Sequence, residues 1–177
     1  MDRKGDANAR IDAESNVLRS LKSHGSENWS VDLGKVATPG EKPWLAKARA
    51  EKIGDGVWNL QAGRYHSDMG GQRLVAAPDG LILIEAHAGL SFEAEWAAIQ
   101  SVGLDPMQVK FVLATHEHGD HSPGAYLWRV ATGAKFVCSE EMAYHLQHHL
   151  TLGTGYGFHA PNFTDIVVRE DSELDLA

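Results

Sequence analysis

Short apolar runs separated by turn residues dominate the chain after residue 56. Runs of this length, rich in Val, Leu and Ile, are typical of β-strands. The turn Pro78-Asp79-Gly80 separates two of them and favours a tight connection between neighbouring strands. The pattern therefore predicts five strands, at 57–62, 72–77, 80–86, 109–114 and 134–138.

Apolar residues at helical spacing follow the third of these strands. Phe92, Trp96 and Ile99 recur at i, i+4 and i+7, with Ser91 as the predicted N-cap and Gly103 as the predicted end. Other helices are predicted at 44–51, at 125–130, and from the cap Ser139 to about Leu150. Strands followed by strand–helix alternation are typical of an α/β (α+β) domain that forms one half of an αββα sandwich.

The first fifty residues follow a different pattern. Residues 1–28 are polar and carry no motif, and the Pro- and Gly-containing stretch 39–43 interrupts the chain after them. We therefore divide the chain into a polar, partly flexible N-terminal extension, residues 1–50, and a folded domain, residues 51–177.

Four residues that commonly bind metals lie within six positions, directly after the predicted strand 109–114. They are His116, His118, Asp120 and His121. Alternate residues of an extended chain point the same way, so His116, His118 and Asp120 can converge, with His121 beside them. Such crowding without a metal is unfavourable, because the side chains would repel one another on protonation. The loop therefore predicts two adjacent metals; its ligands suit zinc, with iron or manganese as alternatives.

The spacing His-x-His-x-Asp-His, followed by the turn Ser122-Pro123-Gly124, resembles the first metal motif of the metallo-β-lactamase superfamily. The resemblance extends from about Asp55 to the C-terminus, and Glu85 stands where many members of that family carry Asp. Between the motif histidines, Glu117 is a candidate for supporting the ligands, and Gly119 permits a tight turn. The resemblance implies one metal held by His116 and His118, and a second held by Asp120 and His121.

The family also binds its metals through a later His, a bridging Asp and a last His. No counterpart of these is recognisable among the 177 residues, and the segment 171–177 resembles the lead into the next family motif. We therefore expect a fragment, the N-terminal half of a metallo-β-lactamase-like domain. Such a half would expose a sheet face that favours self-association or pairing with the missing C-terminal half.

These observations predict a metal-dependent hydrolase with a dinuclear zinc centre. A metal-bound hydroxide would attack an electrophilic carbon, sulfur or phosphorus centre, and Asp120 is the predicted catalytic residue because it would bind metal and orient the nucleophile. A non-catalytic metal-binding remnant and a diiron redox protein are the alternatives. The fold type leaves the small-molecule substrate open.

Two loops contain candidates for substrate contact. Tyr65 and His66 lie in the connection between the first two predicted strands, which in the resembled family can overhang the metals. His159 lies among three glycines that let the backbone bend closely. Ordinary connections explain these residues equally well. His145 and His149, one helical turn apart, could chelate a metal, but an exposed polar helix face is the favoured interpretation.

The charge and composition of the chain limit the binding partners and the cellular location that we expect. Lys and Arg number 16 against 24 Asp and Glu, a net charge of −8, so nucleic acid is not an expected partner. No apolar stretch of signal-peptide or membrane-spanning length is present, so we expect no membrane association and a cytoplasmic location. Cys138 is the single cysteine, which excludes an intramolecular disulfide, and we expect it to pack in a strand.

Overall fold

A single sheet organises the part of the chain that the structure describes. The structure is a computed structural model, which describes residues 48–61, 71–86, 92–118, 121–122, 124–147, 164–170 and 173. The strands of the sheet lie side by side in chain order. They are β1 (Arg49–Gly54), β2 (Val57–Gln61), β3 (Arg73–Ala77), β4 (Gly80–Ile84), β5 (Val109–Leu113), β6 (Lys135–Ser139) and β7 (Ile166–Val168).

Helices connect the later strands. They are α1 (Phe92–Ser101), α2 (Gly124–Thr132) and α3 (Glu140–Gln147), with a 3₁₀ turn at Pro106–Gln108. Strands β1 to β4 pair antiparallel, and β4 to β7 pair parallel. Crossovers between parallel strands are right-handed, and here the sheet grows in one direction. The three helices therefore pack on the same face of the sheet.

The core lies between that face and the helices. Leu74, Leu83, Val112 and Phe136 follow one another across the sheet in register and are all buried. Cys138 is also buried on β6, as predicted. Burial raises the pKa of its thiol, and the contact with the Thr164 hydroxyl offsets only part of that effect. Removal of this apolar surface from water is the main force that holds sheet and helices together.

A polar group is buried where α1 and α2 meet. Glu95 lies in the first turns of α1, has no exposed surface, and accepts a hydrogen bond from Trp128 Nε1 at 2.6 Å. Its other carboxylate oxygen accepts a hydrogen bond from Gln72 Nε2, directly before β3. The rings of Phe92 and Trp96 pack against Trp128 with centroids 4.9 and 5.6 Å away. Glu95 thus joins α1, α2 and the start of β3.

The turn between β3 and β4 confirms the predicted role of Pro78-Asp79-Gly80. Gly80 has φ 152°, and a Cβ added there would lie 2.6 Å from the Gln108 carbonyl oxygen. Only glycine fits this backbone approach. The turn therefore sets β4 directly beside the chain that leads into β5.

The mixed α/β architecture is confirmed, and β2 to β6 and the three helices lie where the pattern predicted them. Ser139 caps α3 as expected, since its Oγ accepts from the Met142 amide at 3.1 Å. The end predicted for this helix, near Leu150, lies outside the described residues. Among those residues, no helix has the length and apolar character needed to span a membrane.

The predicted helix 44–51 is wrong at its described end. Residues 49–51 belong to β1, which pairs antiparallel with β2. The Ala, Lys and Arg content favoured a helix, but pairing with a neighbouring strand overrides such a weak preference. Ala50 packs against the core, while most of the strand is exposed, so β1 lacks the alternation that identifies a strand.

The short strand β7 was not predicted either. The domain boundary at residue 50 stays a prediction.

Candidate metal centre

The candidate centre lies at the carboxyl ends of β4 and β5. Because β4 and β5 are parallel neighbours, the residues that follow them meet at one edge of the sheet. The Ala86 amide donates to the His121 carbonyl at 2.9 Å, and the Gly124 amide donates to the Ala86 carbonyl at 3.1 Å. The end of β4 is thereby joined to the loop that contains the histidines.

Three of the four predicted ligands are described, and their rings lie together. The ring centroid of His116 is 4.6 Å from that of His118 and 4.0 Å from that of His121. His118 is exposed, whereas His116 and His121 are partly buried. Asp120, the fourth predicted ligand and the predicted catalytic residue, lies outside the described residues and stays a prediction.

Glu85 belongs to the same cluster. One ligand atom each from Glu85, His116 and His121 lies within 4.8 Å of the others. Glu85 Oε2 is 2.7 Å from His121 Nδ1, and Oε1 accepts from the Thr115 amide at 2.8 Å. Because both oxygens are engaged, we assign Glu85 to holding His121 rather than to binding a metal directly.

The backbone of Glu85 is unusual as well. Its φ is 66°, in the left-handed region that side chains other than glycine rarely adopt, and the residue is 3% exposed. Strain of this kind persists where the surrounding contacts require it, and it often accompanies functional sites. From the sequence, Glu85 is recognisable only as the residue that stands where many members of the resembled family carry Asp. The available signal was a charged residue at the end of a fully apolar strand.

Backbone hydrogen bonds close the histidine loop into a tight turn. The His118 carbonyl accepts from the His121 amide at 3.0 Å and from the Ser122 amide at 3.2 Å. The buried Ser122 hydroxyl also donates to the Glu117 carbonyl at 3.2 Å. This turn returns the chain toward β4 and brings the ring of His121 beside that of His116.

Glu117 reaches out of the loop to α3. Its Oε1 lies 2.9 Å from His145 Nδ1, and the two side chains are 15% and 25% exposed. Burial raises the pKa of the Glu117 carboxyl, but hydrogen bonds from its own backbone and from His145, together with the nearby charges of His145 and His118, outweigh it. The pKa of Glu117 therefore lies below its ordinary value. The favoured interpretation of His145 as an exposed polar residue was wrong, because the approach of α3 to the loop buries much of its ring.

The chemistry of this donor set fits a transition-metal ion. Clustered imidazoles with an adjacent carboxylate are typical of zinc and iron sites, and the partial exposure of the rings leaves room for a further ligand. The substrate-contact candidates Tyr65, His66 and His159 lie outside the described residues, as does His149. Their roles stay predictions.

A family model, that of the metallo-beta-lactamase superfamily, matches residues 74–176. The match includes β3 to β7 and every described residue of the candidate metal centre. None of the curated protein sequences matches the chain.

Solved structures of three β-lactamases share the fold. FEZ-1 from Legionella gormanii has a TM-score of 0.61 at 20% identity, covering 72% of this chain and 49% of its own. BJP-1, a subclass B3 metallo-beta-lactamase of Bradyrhizobium japonicum, has a TM-score of 0.62 at 21% identity, covering 72% and 48%. A β-lactamase from Chitinophaga pinensis has a TM-score of 0.62 at 22% identity, with the same coverage. The chain thus spans about half the length of these structures.

Proposed function

Because the chain belongs to the metallo-beta-lactamase superfamily, we propose that it forms the metal-binding half of a metal-dependent hydrolase. The observation that carries the proposal is the convergence of His116, His121 and Glu85 at the end of two parallel strands, with the ring of His118 beside them. A hydrolase of this class is the function that such a cluster supports best.

We propose zinc as the metal, in a centre of two ions, with iron or manganese as substitutes. His116 and His118 would hold one ion, and Asp120 and His121 the other. Once bound, metal of this kind activates a water molecule for attack and stabilises the oxyanion that forms. The remaining ligands would come from residues outside the described cluster.

The protein's own groups prepare that chemistry in three ways. Glu85 accepts the Nδ1 proton of His121 and so directs Nε2 of that ring away from the carboxylate. His118 is exposed and its ring lies beside that of His116, so a substrate could reach a metal held between them. Asp120 would orient the attacking water as well as bind metal.

The chemistry of an activated water molecule limits the classes of substrate that we propose. Electrophilic carbonyl, sulfate and phosphate esters all suit attack by an activated water molecule. The three solved relatives described above are β-lactamases, so a lactam belongs in the test panel. The two alternatives predicted from the sequence, a non-catalytic remnant and a diiron redox protein, have no observation of their own among the described residues.

Metal content tests the proposal. We expect purified wild-type chain to contain zinc by elemental analysis, and His118→Ala and Asp120→Ala to lose most of it, because each removes a ligand from the loop. His148→Ala, a histidine substitution outside the His-x-His-x-Asp-His motif, is the matched control and should retain wild-type content. Equal zinc content in all four proteins would overturn the site assignment.

A further inference from the structure

Glu117 lies in the sequence between two predicted metal ligands, His116 and His118. The rings of His116 and His118 lie beside each other, whereas the carboxylate of Glu117 is directed to another element, the helix α3. The two imidazole centroids are 4.6 Å apart, while the Glu117 carboxylate contacts His145 on α3 at 2.9 Å.

The helix that receives Glu117 is firmly fixed. Met142 and Leu146, on either side of His145 along α3, are each 2% exposed and belong to the hydrophobic core. At the start of the helix, the Ser139 hydroxyl accepts from the Met142 amide at 3.1 Å. A side chain on this helix can therefore act as a fixed support for a neighbouring loop.

The loop is thus held at two points from different parts of the fold. Glu85, at the end of β4, holds Thr115 and His121. His145, on α3, holds Glu117, which lies between them. An imidazole 25% exposed beside a carboxylate 15% exposed is more shielded from solvent than an ordinary surface pair, whose contribution to stability is small.

We propose that His145 is a positioning residue for the metal centre: it holds Glu117 against α3 and thereby orients the imidazoles of His116 and His118 toward a shared metal. The inference rests on the proposed metal-binding function. It assigns His145 no direct contact with metal or substrate. Removing a direct hydrogen-bond partner of a ligand typically changes metal affinity by about ten- to a hundredfold, and His145, one residue further from the ligands, should have an effect at the lower end of that range.

The test measures metal affinity and coordination in the full chain. Co²⁺ and Zn²⁺ affinities are measured by competition with a chelator, and the Co²⁺ absorption spectrum reports ligand geometry. The variants are His145→Ala, His145→Asn, Glu117→Leu, which keeps the approximate size of the side chain but has no acceptor, and the control Gln147→Ala, which alters an exposed residue of the same helix. Circular dichroism and thermal unfolding of the metal-free proteins report the fold.

We expect His145→Ala to weaken metal binding by about tenfold or more and to change the Co²⁺ spectrum, with Gln147→Ala like wild type. His145→Asn should recover much of the affinity, because its amide nitrogen can donate where Nδ1 did. Glu117→Leu should weaken binding in the same direction, because it removes the acceptor that His145 contacts. It also provides the test if His145→Ala does not fold.

Three outcomes separate the interpretations. Lower thermal stability of His145→Ala, with wild-type metal affinity and spectrum, would make the pair merely structural and overturn the proposal. Wild-type affinity in Glu117→Leu would overturn it equally. If His116→Ala also left metal affinity unchanged, the proposed metal site itself would fail, which is a distinct result.

Discussion

At the scale of single residues, Glu85 has the clearest role in the centre. It is buried, has a left-handed backbone, and accepts hydrogen bonds from two parts of the histidine loop. A buried carboxylate with its two oxygens engaged in this way is stabilising only while both partners are present. Its loss should therefore affect metal binding and folding together.

Glu85→Gln tests this role. Glutamine keeps the size of the side chain but offers one acceptor oxygen where Thr115 and His121 together require two. Metal affinity should fall by about ten- to a hundredfold, since His121 would no longer be held. The free energy of unfolding should fall by about 1–3 kcal/mol. Chelator competition and urea denaturation measure the two effects.

The control for this substitution is Glu140→Gln, which alters a carboxylate 61% exposed at the start of α3. It should leave metal affinity unchanged. Wild-type affinity in Glu85→Gln would contradict the assignment of Glu85 to holding His121.

At the scale of elements, Glu95 couples α1 to α2. α1 follows the segment that leads from Glu85, and α2 follows the histidine loop, so their mutual position also bears on the loop. The aromatic contacts of Trp128 and its hydrogen bond to Glu95 act at the same place. Removing the Trp128 Nε1 donor should therefore reduce the free energy of unfolding more than removing one ring of the aromatic cluster.

Trp128→Phe separates the two contributions. Phenylalanine keeps an aromatic ring but removes the Nε1 donor, which deprives a fully buried carboxylate of one hydrogen bond. The expected loss is about 2–3 kcal/mol in the free energy of unfolding. Phe92→Leu, which removes a ring from the same cluster but no donor, should cost less. Equal losses in the two variants would show that packing alone holds the helices together.

At the scale of the whole molecule, the sheet face opposite the helices is apolar. Ile82 pairs with Phe111 and Ile84 with Leu113 across β4 and β5, and these side chains are partly exposed. Among the described residues, no helix packs on that face. We propose that it mediates association with a second copy when residues 1–177 are studied alone, because apolar patches of this kind favour contact.

Sedimentation velocity tests this proposal. The wild-type chain should associate in a concentration-dependent manner, and Phe111→Glu should shift it toward monomer, because a carboxylate resists burial in an apolar contact. Gln147→Glu adds the same charge to an exposed position on α3 and should associate like wild type. Association that is equal in all three chains would place the contact elsewhere.

The local pattern of the chain by itself determined most strands and all three described helices, and it predicted the histidine loop as a candidate metal site. Each of these features depends on residues close in sequence: apolar periodicity over one element, a cap such as Ser139, or histidines within six positions. Strand β1 was not predicted because most of its residues are exposed. Its strand conformation depends on pairing with β2 rather than on an alternation of apolar and polar residues.

The contacts that support the centre were decided by tertiary structure. Glu85 and His121 are 36 positions apart, and Glu117 and His145 are 28 apart. No local preference relates such residues, because their meeting depends on the parallel register of β4, β5 and β6 and on the packing of α3 against β6. The sequence alone could thus propose which residues would bind a metal, whereas the folded sheet and its helices determine which side chains contact those residues.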